Sequence, residues 1–173
     1  WIGSMKAAKV GSGSAEIPDV TVSTTTAIAP SCRPATAATI AALNPDTQVQ
    51  TIAERLDSER LLTLLDQVDL VIDGTDNFAT RYAINDACFA TGTPLVSGAA
   101  IRMEGQVAVF DPRRHDSPCY RCLYPEADET ALNCSENGVA APVVGIIGSV
   151  QAMEALKLIT GAGESLTGVV LYL

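Results

Sequence analysis

The spacing of apolar positions changes near residue 40. Residues 1–39 are dominated by Ala, Ser, Thr, Gly and Pro and sustain neither a strand period nor a helix period. That is the composition of a linker or disordered tail. From residue 40 onward, short apolar runs alternate with amphipathic ones. "TQVQTIAERL" predicts a short strand, and "DSERLLTLLDQ" predicts a helix capped by Asp57 or Ser58, with leucines at 61, 62, 64 and 65. "VDLVIDG" and "PLVSGAA" are continuous apolar runs, the pattern of parallel strands buried on both faces. Between them, Phe78, Tyr82, Ala83 and Cys88 recur at helical spacing from Asn77 to about Ala90, closed by "TGTP".

"EGQVAVFD" alternates and predicts an antiparallel strand. Pro142 to Thr160 predicts a long helix with Val143, Ile146, Ile147, Val150 and Met153 on its apolar stripe and Gly161 as its stop. "GVVLYL" predicts a last strand. Alternating β and α with apolar strands defines an α/β fold, a Rossmann-like doubly wound and mostly parallel sheet with an antiparallel extension. Two units are expected, an atypical segment 1–39 and an α/β domain 40–173. Ligands of such sheets sit at the carboxyl ends of strands, which directs attention to "IDGTDN" and "VSGAAIRMEGQ".

Composition narrows the class. The chain has 173 residues, 47% hydrophobic and 18% charged, as in a globular domain. A net charge of −9 argues against a general nucleic-acid binder, which needs Lys and Arg clusters. No uninterrupted apolar run reaches the roughly 18–20 residues that span a bilayer. Val139 to Leu158 is broken by Pro142, Gly145, Gly148, Gln151, Glu154 and Lys157 and reads as a buried helix. Five unevenly spaced cysteines fit reduced thiols in a cytoplasmic protein better than a disulfide framework. Trp1 opens the chain, and "GSM" at 3–5 has the look of a cloning scar.

Three stretches carry chemistry. In "DGTDNFATR", Asp76 and Asn77 follow a buried strand and open a helix. A carboxylate there can hold magnesium against phosphate oxygens, with Arg81 about one turn along to offset negative charge. Taken alone, Asp76 reads more readily as a plain N-cap, since most helix starts need caps and metal sites are rare. Cys119 and Cys122 in "CYRC" form half of a zinc site, a redox pair or a coincidence. Zinc would need two more ligands; Cys32, Cys88, Cys134 and His115 remain, and Cys88 reads as core while His115 reads as a solvated loop residue. Cys134, in a polar segment, is a candidate nucleophile with no histidine beside it in sequence. "VGSGSAE" supplies Gly11 and Gly13 but lacks the third glycine of a dinucleotide loop.

"LVIDGTDNFATRYAIN", "PLVSGAAIRMEGQVAVFDP", "CYRCLYPE" and "NCSENGVAAPVVGIIGSVQAMEALKLITG" together resemble the MoeB/ThiF/HesA family, bacterial relatives of ubiquitin-activating enzymes. The likeness runs from about Leu43 to Leu173, with wording closest to the MoeB branch. It implies a nucleotidyltransferase that uses ATP and magnesium to adenylylate the C-terminal Gly-Gly carboxylate of a ubiquitin-like sulfur carrier, of MoaD or ThiS type. Molybdenum-cofactor or thiamine biosynthesis is the implied context.

On that resemblance Asp76 is the magnesium ligand, Asn77 lies at the nucleotide, Arg81 is a neighbouring active-site residue, and Cys119 and Cys122 are two of four structural zinc ligands. Cys134 falls near a reactive cysteine of ThiF relatives. A homodimer is implied, and neither nucleic acid nor membrane is an expected partner. The family's Gly-rich loop and phosphate-binding lysine are not recognisable before Leu43, where Ala35 stands in for the lysine, and no second CxxC follows. The chain is therefore expected to be cut short at both ends. The alternative reading is a carrier-binding module without catalysis.

Overall fold

The computed structural model describes residues 2–5, 24–26, 33–52, 56–125 and 138–173. In chain order the elements are β1 (Ile2–Met5), β2 (Thr24–Thr26), α1 (Arg33–Leu43), β3 (Val49–Thr51), α2 (Ser58–Leu65) and β4 (Leu70–Asp73). They continue with α3 (Phe78–Thr91), β5 (Leu95–Ile101), β6 (Glu104–Phe110), α4 (Tyr120–Leu123), α5 (Ala141–Thr160) and β7 (Val170–Tyr172). A five-stranded sheet runs β1-β4-β5-β6-β7, and β2 pairs with β3 in a second, two-stranded sheet.

The expected α/β class is the class observed, with the sheet mixed. β4 and β5 are parallel, joined across α3, while β5–β6, β6–β7 and β1–β4 are antiparallel. "Mostly parallel" therefore applies to the β4–β5 centre and not to the whole described sheet. The reason is local: the four-position hairpin around Arg102 is too short for the crossover that a parallel β6 would require.

Strand side chains alternate between two cores, which explains the continuous apolar runs. Val71, Leu95, Ala108 and Phe110 pack with Leu61 and Leu65 of α2 and Ile84, Ala87 and Cys88 of α3. Leu70, Val96, Val107 and Val109 face the other way, onto Val143, Ile147 and Ala155 of α5.

Helix boundaries follow from their caps. The Asp57 carboxylate accepts the Arg60 amide at 2.8 Å, and Leu61 and Leu65, one turn apart, bury the inner face of α2. Gly161, at φ 69°, closes α5 in the left-handed conformation that glycine tolerates. Helix α1 opens at Arg33, inside the stretch expected to be irregular. Its alanine-rich sequence favours a helix by propensity without an amphipathic period, so a period test passes over it.

Helix α5 corrects two expectations. Its buried residues are Val143, Ile147, Gln151, Glu154 and Ala155, whereas Ile146 and Met153, expected on the inner stripe, are 44% and 57% exposed. Two polar side chains hold the inner face because the sheet satisfies one and the segment after α5 the other. Gln151 Nε2 donates to the Asp73 and Val96 carbonyls, and Glu154 Oε2 accepts the Leu166 amide at 2.8 Å and pairs with Lys157. The helix is thus half-covered rather than buried. By length and composition it is apolar enough to cross a membrane, and one face of it packs on the sheet, where Gln151 hydrogen-bonds carbonyls of β4 and β5.

Candidate functional site

At the carboxyl ends of β4 and β5 lies a cavity of about 310 Å³. Asp76, Asn77 and Arg81 border it, with Phe78, Tyr120, Tyr124 and Tyr172 supplying aromatic walls and Glu104 and Gln106 a polar edge. The three residues singled out in "DGTDNFATR" thus meet at one site, on the strand edge where an α/β sheet binds ligands.

The turn after β4 is built by its own side chains. The buried Asp73 carboxylate accepts the Thr75 amide at 2.8 Å and the Ser97 hydroxyl at 3.2 Å. Asn77, not Asp76, caps α3: its Oδ1 accepts the Thr80 amide at 2.8 Å. Asn77 Nδ2 reaches Asp76 Oδ1 at 3.4 Å, and Asp76 is exposed. The plain-cap reading of Asp76 is therefore set aside, since the neighbouring amide meets the orphan amides of the first turn.

Arg81 turns back toward the sheet. Its Nε donates to the Thr75 carbonyl at 3.1 Å and its Nη2 to the same oxygen, with the Gly98 carbonyl at 3.5 Å. Nη1 donates to the Tyr120 hydroxyl at 3.2 Å. Burial raises the Tyr120 phenol above its ordinary value, against the nearby guanidinium, so it stays protonated. Tyr124, whose hydroxyl donates to Gln106 Oε1 at 2.7 Å, is pushed up to about 12 by burial.

Cys119 is the N-cap residue of the single helical turn α4 and Cys122 lies within it, their sulfurs 3.1 Å apart. Burial raises Cys119, reinforced by the hydrogen bond with Cys122, whereas that same bond lowers Cys122. The thiol–thiol contact thus shifts the two in opposite directions. Arg121, between them, fastens the turn to α3: Nε and Nη2 donate to the two carboxylate oxygens of Asp86 at 2.9 and 2.7 Å. Its guanidinium carbon stands 4.3 Å from the Tyr82 ring centroid.

For a metal, the described residues offer two different fits. Asp76 is an exposed carboxylate with an uncommitted oxygen at a cavity, which suits magnesium, an ion that takes one or two carboxylates and keeps water and phosphate oxygens. Cys119 and Cys122 supply two thiols, and no group of three or more His, Cys, Asp or Glu stands together among the described residues. Two donors do not make a closed structural zinc site.

Cys88 is fully buried, its thiol pushed up by desolvation, and packs in the core as expected. His115 is exposed. Cys134, Cys32 and the Gly11–Gly13 stretch lie outside the described residues. Sequence reasoning missed Tyr120, Tyr124 and Gln106. The available signal was the interleaving of tyrosines with cysteines in "CYRCLY".

Solved structures with this arrangement place the chain in a fold class. The E. coli MccB structure with succinimide superposes with a TM-score of 0.63 at 17% identity, covering 78% of this chain and 41% of that one. Selenomethionine PaaA gives 0.62 at 19%, covering 81% and 43%. The sequence gives the family: residues 33–173 match the ThiF family model, and the chain belongs to the ThiF family. Among curated relatives, molybdopterin-synthase adenylyltransferase of Escherichia coli K12 is 49% identical over 131 residues, 75% of this chain and 52% of that protein. The sulfur carrier protein ThiS adenylyltransferase of the same strain is 45% identical over 126 residues, covering 70% and 50%. The chain thus spans about half the length of the curated relatives it matches.

Proposed function

We propose that this chain carries the magnesium side and carrier side of an adenylyltransferase acting on the C-terminal carboxylate of a ubiquitin-like sulfur carrier. The observation that carries the reading is Asp76: exposed on the cavity rim at the end of β4 and released from capping by Asn77. The names of the relatives at 45–49% identity, adenylyltransferases of molybdopterin synthase and of ThiS, support the same reaction.

In that reaction an oxygen of the carrier's terminal carboxylate bonds to the α-phosphorus of ATP. The bond from that phosphorus to the bridging oxygen breaks and pyrophosphate leaves, so no proton need move. Asp76 would hold a magnesium ion there, which would offset charge on the phosphates. The chain's own groups supply the rest. The Asp73, Asn77 and Arg81 contacts hold the turn that presents Asp76. The aromatic walls line the cavity that would receive the carrier's tail.

Magnesium- and carrier-dependent ATP–pyrophosphate exchange tests the reading, with Asp76→Ala as the comparison. Exchange that disappears in Asp76→Ala is expected; equal exchange in both proteins would remove Asp76 from the reaction. The non-catalytic reading draws on the cavity's aromatic lining, which suits a peptide tail without any nucleotide. Carrier binding with no exchange would favour it.

The proposal includes a second copy of the chain. Ile146, Met153 and Leu156 are exposed apolar side chains on the outward face of α5, and surfaces of that kind usually have partners. Equilibrium sedimentation of Ile146→Glu/Met153→Glu as monomer beside a dimeric parent would support it. A monomeric parent would end it.

A further inference from the structure

We propose that Tyr120 is a positioning residue for the Asp76 turn, so that the CxxC turn props the site on the far side of the cavity. The inference rests on the adenylyltransferase reading only for its consequence in activity; the mechanical link stands on geometry.

Residues of one four-residue turn divide their work. Cys119 and Cys122 face each other, and Arg121 reaches outward to Asp86 on α3. Tyr120 alone points inward, 2% exposed. Its backbone amide donates to the buried Asn85 Oδ1 at 2.8 Å. Its ring sits 5.8 Å from that of Tyr82, 5.9 Å from Phe110 and 5.1 Å from Tyr124. A tyrosine so enclosed has one ring position available, and this directs its hydroxyl at a single donor, Arg81 Nη1.

Arg81 spends its other nitrogens on the Thr75 carbonyl, with Gly98 at the limit of reach. Thr75 adjoins Asp76. The chain of contacts is therefore short: Tyr120 hydroxyl, Arg81 guanidinium, Thr75 carbonyl, Asp76. Without its oxygen acceptor the guanidinium loses one of the groups that fix its plane, and the bracket on Thr75 loosens. A hydrogen bond between a phenol and a guanidinium in a half-buried setting is of the stronger, charge-assisted kind.

The test reads the turn directly. Hydrogen exchange is measured at the amides of Thr75, Thr80 and Arg81, which donate to Asp73 Oδ1, Asn77 Oδ1 and the Asn77 carbonyl. Tyr120→Phe keeps the ring and removes the oxygen. The expected result is exchange roughly five- to tenfold faster at those three amides, with amides of β6 and α5 unchanged. Arg81→Lys, which keeps charge but cannot bracket one carbonyl with two nitrogens, should loosen the same amides. The double variant should exceed the larger single effect by less than about twofold, because both act through one contact.

Unchanged exchange in Tyr120→Phe would overturn the proposal, as would acceleration spread equally over β6 and α5, the mark of a merely structural role. Nucleotide exchange assays give the second readout, a raised KM for magnesium–ATP in Tyr120→Phe. If the parent protein shows no pyrophosphate exchange while the three amides respond, the adenylyltransferase reading fails and the positioning role of Tyr120 stands.

Discussion

Gln151 lies directly over Gly98: a β-carbon at position 98 would stand 2.4 Å from Gln151 Cδ. The same amide donates to the Asp73 carbonyl at 2.7 Å and the Val96 carbonyl at 3.2 Å, tying α5 to the strand that leads into the Asp76 turn. Gly98→Ala therefore forces the amide off its acceptors or pushes α5 outward. A loss of about 2–3 kcal/mol is expected in urea unfolding. Gln151→Ala makes room but abandons two buried carbonyls, so it should also destabilise. The double variant should lose clearly less than the sum, because the clash and the lost bonds involve the same side chain.

That relationship bears on how much could be read from the sequence. The strands β4, β5 and β6 were legible because apolar runs and alternation are direct images of burial on two faces. Gly161 and Asp57 were legible as helix ends because capping is local chemistry. Gln151 and Glu154 were not, since they are polar residues inside a helix face and only their tertiary partners, the sheet for Gln151 and the Leu166 amide for Glu154, explain them. An apolar-stripe search consequently rotated α5 toward Ile146 and Met153. At the site, Asp76, Asn77 and Arg81 were found by position after a strand, but their division of labour needed coordinates. Asn77 caps, Arg81 brackets Thr75, and Asp76 faces the cavity.

Capping and ligation can be separated by adjacent substitutions. Asn77→Ala removes the acceptor for the Thr80 amide and should cost about 1 kcal/mol in stability. Asp76→Ala removes an exposed carboxylate outside the cap and should change stability by no more than about 0.5 kcal/mol. Thermal unfolding of the two variants side by side checks this. Equal destabilisation would mean that Asp76 shares in the cap after all.

Asp111 gives the fold an acid-sensitive contact. Burial alone would raise its pKa, but hydrogen bonds from Arg113 outweigh that and hold the carboxyl below the usual aspartate range. Arg113 Nε and Nη2 reach its two oxygens at 2.7 Å each. With the folded value depressed, the contribution is fully present above the unfolded pKa of about 3.9 and is lost as pH falls through the folded value. Arg113 is half-exposed, so solvent limits the effect to about 1 kcal/mol. Asp111→Asn should be less stable than the parent at pH 7 and approach it below roughly pH 4. A gap between the two that stays constant across that range would show that the charge is not what matters.

The thiols should react in a fixed order. Cys122 is exposed, and the hydrogen bond from Cys119 lowers its pKa, which favours the thiolate that attacks an alkylating agent. Cys119 is partly covered and raised by burial and by that same bond. Cys88 is fully buried and raised further. Limited iodoacetamide treatment with mass mapping should therefore modify Cys122 first, Cys119 more slowly, and Cys88 only after unfolding. Cys122→Ser removes the thiol whose hydrogen bond and charge help to raise Cys119, so Cys119 should label faster than in the parent, while its burial keeps it slower than Cys122. Slower labelling of Cys119 in Cys122→Ser would mean that Cys122 donates to Cys119 and had been lowering it, the reverse of that order. Cadmium, followed by its thiolate absorption, completes the test: a two-thiol site should bind weakly and be abolished by either substitution.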